Sequence, residues 1–161
     1  MTFDKVFSDS FDTFKVFDNV DVGKASLTNT NTPKSIWQIL NHLISWQEFQ
    51  LNKLKGIEKQ NINEPDTWIK ETAVSDRKLL LENIKKFHNQ IEQIKLLTNQ
   101  LTTETKKIEE KLKIIQDLTV HLSFHIGEII LIMRQNGHYP MPNEMKMFLA
   151  DSKTAAPNIG W

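Results

Sequence analysis

Apolar residues recur at helical spacing along nearly the whole of this 161-residue chain, and no stretch alternates apolar with polar as a strand does. The pattern predicts an all-α protein. Phe3, Val6, Phe7, Phe11, Phe14 and Phe17 predict a first helix over about residues 3–18, and "NVDVGKASLTNTNT" then reads as loop. Thr32 as N-cap and Pro33 at the first helical position predict the start of a second helix. It runs to about Lys55 and stops at Gly56. Its apolar stripe is Ile36, Ile39, Leu43, Trp46 and Leu54, broadened by Leu40 and Phe49. A third helix, capped by Ser75, covers roughly 75–101, and after "TTETKK" a fourth runs from about Ile108 to Asn136. Gly137 ends the fourth, with Pro140 and Pro142 beyond.

Four amphipathic helices in one domain predict a four-helix bundle. The short break at 102–107 makes the third and fourth helices antiparallel. The connection over 57–74 is long enough to return the length of a helix, since ~18 residues reach well over 35 Å. The predicted order is therefore up-down-down-up, with the second and fourth helices antiparallel. Residues 1–142 form the bundle and 143–161 a C-terminal extension, with one short helix at about 143–150. That extension is expected to pack on the bundle or on a dimer partner. Met145, Met147, Phe148 and Leu149 are more apolar than a free tail needs, and with the broad stripes they predict a homodimer.

Twenty basic residues balance twenty acidic ones. With no net charge the drive toward nucleic acid phosphates is missing, and so is the drive toward an anionic membrane surface. The chain has no cysteine, which excludes disulfides, thiolate zinc sites and cysteine nucleophiles and fits a cytoplasmic protein. "MTFDKVFSDS" carries acids and no apolar run, unlike a signal peptide. The longest apolar run, Ile129–Met133, is five residues, far short of the ~18 of a membrane span.

"HLSFHIGEIILIMRQNG", residues 121–137, places two histidines four apart in an apolar segment. At ~100° per residue, His121, His125 and Glu128 fall within about 60° of one another. Leu118, Leu122, Ile129 and Ile132 flank them, so that face points inward. Imidazoles at this spacing chelate a single metal ion. The plain alternative is a pair of buried histidines bonded to backbone, but each ring brings a donor and an acceptor to satisfy. His42 lies on the buried stripe of the second helix, between Ile39, Leu43 and Trp46. In an antiparallel pair it sits level with His125. Three neutral imidazoles around a divalent ion, with an open position left, make a catalytic type of site. His88 and His138 read as surface residues. Glu128 is a fourth ligand, an acceptor orienting an imidazole or a base, or else a partly exposed carboxylate paired with Arg134 or a lysine. Trp46 walls the pocket or simply packs in the core.

"ILNHLISWQEF" followed some eighty residues later by "HLSFHIGEIILIMRQNG" resembles the DinB/YfiT-like family of metal-dependent enzymes. The family's helix-2 histidine and its H-x-x-x-H-x-G-[QE]-I motif, with a basic residue before a terminal glycine, fall on His42, His121, His125, Gly127, Glu128, Ile129, Arg134 and Gly137. The resemblance covers about residues 1–142 and implies the up-down-down-up bundle. It also implies a three-histidine site for zinc, nickel or a similar divalent metal, and frequent homodimers. Members of known activity include thiol-dependent transferases and a thiol-dependent isomerase. Glu128 stands where glutamine is commoner. The expected function is thus a metal-dependent hydrolase, or a transferase using a small thiol, with Glu128 as its catalytic carboxylate. The alternative is a non-catalytic helical bundle that dimerises, with metal structural or absent. A ferritin-like di-iron site is set aside, because no histidine has Glu three residues before it.

Overall fold

The computed structural model describes residues 1–7, 16–57 and 61–139, and every regular element among them is helical. In order these are a short α1 (Val22–Ala25), α2 (Ile36–Leu54), a 3-10 turn (Glu64–Thr67), α3 (Arg77–Asn99) and α4 (Ile108–Gln135). Residues 8–15 of the first predicted helix lie outside the described residues; its described ends, 4–7 and 16–19, are turns and not the helix expected there. The predicted helix at 143–150 lies wholly outside them. One predicted loop holds α1, whose Asp21 side chain accepts from Lys24 N.

Two helix starts differ from expectation. Ser35, not Thr32, caps α2, because only Ser35 has a glutamine three residues on to complete a capping box. Ser35 Oγ accepts from Gln38 N at 3.2 Å, and Gln38 Oε1 accepts from Ser35 N at 3.1 Å. Asp76, not Ser75, caps α3, its carboxylate accepting from Lys78 N and Leu79 N. The stops are as expected. Gly56 and Gly137 both take φ +73°, a left-handed conformation that a side chain would strain. Beyond each, the chain closes the last turn: Ile57 N donates to Asn52 O at 2.9 Å and His138 N to Met133 O at 2.8 Å.

The predicted stripe understates how deeply α2 is buried: twelve of its nineteen residues are buried. It is covered by α3 on one side and α4 on another. Lys111, near the start of α4, reaches Leu54 O at the end of α2, while Asn29, ahead of α2, meets Gln135 at the end of α4. Those two helices therefore run antiparallel. The chain after the 3-10 turn returns to the start of α2, where Gln38 Nε2 donates to Ile69 O at 3.0 Å and Val74 N to Ser26 Oγ at 3.3 Å. The predicted return over 57–74 is thus present as a traversal. The N-terminus is tied down: Phe3 N donates to Leu101 O at 3.3 Å, and the Phe17 ring meets Phe87 edge-on at 4.9 Å. By length and composition α4 is apolar enough to cross a membrane, but its stripe of Ile115, Leu118, Leu122, Ile129 and Ile132 is buried within the fold.

Candidate metal centre

His42, His121 and His125 meet between α2 and α4, each offering one ring nitrogen within 4.8 Å of the others. His42 is 1 % exposed and His125 6 %. The antiparallel pairing brings them level, as the spacing predicts. His42 Nε2 and His121 Nε2 are 3.1 Å apart. Two nitrogens at 2.0–2.1 Å from one tetrahedral ion stand roughly 3.3 Å apart, so this separation is compatible with chelation of one ion as well as with an N–H···N hydrogen bond from His121.

Hydrogen bonds fix which nitrogens face the centre. Thr67 Oγ1 donates to Glu64 O at 2.6 Å, which leaves it to accept from His42 Nδ1–H, also at 2.6 Å. His42 Nε2 therefore carries its lone pair inward. His125 Nδ1 donates to Glu128 Oε2 at 3.0 Å, freeing its Nε2 in the same way. Such outer partners hold a ligating ring in one tautomer and one orientation. Glu128 pairs with His125. The Trp68 ring lies flat on His42 at 3.8 Å with 10° between planes, and Lys34 Nζ sits 5.0 Å over Trp68. Trp46 stands edge-on to His121 at 5.3 Å.

Thr67 and Trp68 escape sequence reasoning, which sees only a polar connection with an isolated tryptophan. The Gln38 that completes the α2 capping box also holds Ile69 O, so one side chain both starts the helix carrying His42 and tethers the segment that orients it. His88 lies outside the cluster, 3.0 Å from Asp18, and His138 is exposed beyond α4.

Burial, then the neighbouring His125, His121 and Lys34, push His42 down to about 3. Burial, then His125, push His121 down to about 4. Both rings are uncharged at neutral pH, the form a metal requires. The folded values lie below the unfolded 6.5, so below pH 6.5 the unfolded chain binds protons that the folded chain refuses. Metal-free protein is therefore expected to keep this stability above pH 6.5 and lose it as pH falls toward 4. Urea midpoints across that range should fall in the wild type and stay flatter in a triple His→Ala variant.

The sequence profile of the DinB family matches residues 9–154. This chain belongs to the DinB family. All three clustered histidines and Glu128 fall inside the matched span. No curated protein and no solved structure matches this DinB-family chain. The cluster fits a divalent ion by its donor set: three neutral imidazoles suit zinc, nickel, copper or iron, and the described residues bring no thiolate to it.

Proposed function

We propose that this DinB-family protein is a metal-dependent enzyme acting on a small molecule, by hydrolysis or by transfer involving a small thiol. What carries the reading is the 3.1 Å approach of His42 Nε2 to His121 Nε2, with His42 held at its other nitrogen by Thr67. His42, His121 and His125 would hold the ion. When bound, it supplies positive charge that favours the deprotonated form of a water or thiol brought to it. Glu128 Oε2 keeps His125 oriented, and the same carboxylate, half-shielded on the inner face of α4, is the group that takes up a proton. Trp68 covers His42 and keeps water from that side of the ring.

Cobalt-loaded protein titrated with 2-mercaptoethanol tests the thiol branch. A sulfur-to-cobalt charge-transfer band is the expected result, retained in Glu128→Gln, which keeps the acceptor but not the base. Its absence in the wild type leaves hydrolysis as the reading.

The chain is further proposed to arrange its helices as an up-down-down-up bundle and to work as a homodimer in the cytoplasm. Exposed Val120, Phe124 and Leu131 line one face of α4, and Gly127 between them leaves open space for a neighbouring helix. Sedimentation at micromolar concentration should show a dimer that Phe124→Glu dissociates; a wild-type monomer refutes it.

A further inference from the structure

Beside the histidine cluster, between α2 and α4, lies a cavity of about 240 Å³. Leu118 and Leu122 of α4 supply apolar wall, and one turn of α2 supplies Trp46, Gln47 and Gln50. Gln47 is 2 % exposed and Gln50 8 %. Folded proteins leave few buried polar atoms without a partner. Here Trp46 Nε1, Gln47 Nε2, Gln47 Oε1 and Gln50 Oε1 all lack one among the described residues. The remaining unpartnered atom, Gln90 Oε1, belongs to a side chain anchored through its nitrogen to Ile44 O at 3.1 Å. Protein covers each of these atoms, so a ligand meets them as the Trp46, Gln47 and Gln50 side chains turn toward the cavity that they line.

The wall offers N–H donors from Trp46 and Gln47 and carbonyl acceptors from Gln47 and Gln50. A primary carboxamide is its complement, with two lone pairs on oxygen and two N–H groups on nitrogen. Charge narrows the class further. Among the described residues no lysine or arginine lines the cavity, and the one carboxylate there, Asp117, is engaged by Lys113 at 3.1 Å. An anion would be desolvated there without a counter-charge. The volume holds about eight water-sized groups, so the molecule is small.

We propose that this cavity binds a small neutral molecule through a carboxamide, whose oxygen accepts from Trp46 and Gln47 and whose N–H groups donate to Gln47 and Gln50. His121 shares the cavity wall, so the far end of such a ligand reaches the histidine cluster; that consequence rests on the metal-site reading above.

Metal-stripped full-length protein is titrated with butanamide while the indole Nε1–H resonance of Trp46, assigned through Trp46→Phe, is followed by NMR. A saturable shift is expected. Gln47→Leu and Gln50→Leu should each weaken it at least tenfold while keeping helical circular dichroism. Gln47→Leu should melt no lower than wild type, because it removes an unpaired buried amide. Butanoate, of the same shape but charged, should bind at least tenfold more weakly. The proposal is overturned by no saturable shift, by equal binding of butanoate, or by binding indifferent to both glutamine variants. Cobalt uptake by the same protein reads the histidines separately. Amide binding without cobalt uptake overturns the metal reading alone, and cobalt uptake without amide binding overturns this one alone.

Discussion

Wild-type protein loaded with zinc, nickel or cobalt and freed of excess should retain one ion per chain, and the triple variant His42→Ala, His121→Ala, His125→Ala should retain none. Elemental analysis beside a protein assay reads the result directly. His42 and His121 already stand 3.1 Å apart, so losing either leaves a site with no chelating pair at that distance. Thr67→Val should weaken binding less, by ~10–100-fold, since it removes only the acceptor that fixes the His42 ring. Acidification should release the ion from the wild type, because imidazole binds metal only when neutral. Equal occupancy in wild type and the triple variant would end the metal reading.

Phe87→Ala should destabilise the protein by about 3–5 kcal/mol. Phe87 is fully buried on α3 and meets Phe17 edge-on at 4.9 Å, so truncation opens a cavity where the N-terminal segment docks. For a chain of this size that loss lowers the melting temperature on the order of 10 °C. Phe17→Ala should lose a similar amount, and the double variant less than the sum, because an aromatic pair couples by about 0.5–1.5 kcal/mol. Urea denaturation of the four proteins checks it. A loss under about 1 kcal/mol for Phe87→Ala would mean that this contact does not close the core.

The helices α2, α3 and α4, and the three histidines, are legible in the sequence for one reason: each depends on residues within a turn or two of one another. Gly56 and Gly137 end helices because a left-handed residue is needed at that step whatever packs around it. His121 and His125 share a face because four residues make about one turn. Even the missed helix starts are local errors; Thr32 is a good cap, but Ser35 has Gln38 to answer it. Placing His42 opposite His125 needed one further inference, the antiparallel pairing of α2 with α4, and the length of the 57–74 connection supported it.

What the sequence could not specify is everything contributed across space by segments without periodicity. Thr67 and Trp68 sit on a connection whose path is set by Gln38 and Ser26 through bonds that span 31 and 48 positions, and no local pattern announces that a threonine will fix an imidazole tautomer. Glu128 could bond forward along α4 or back toward His125, and only the packed rotamer decides. Gln47 and Gln50 look like ordinary polar residues of a helix. They become an unmet set of donors and acceptors only because α4 lies over them and shuts water out. Periodicity and capping are written in neighbouring residues, whereas hydrogen-bond partners across a core depend on which surfaces the tertiary fold presses together.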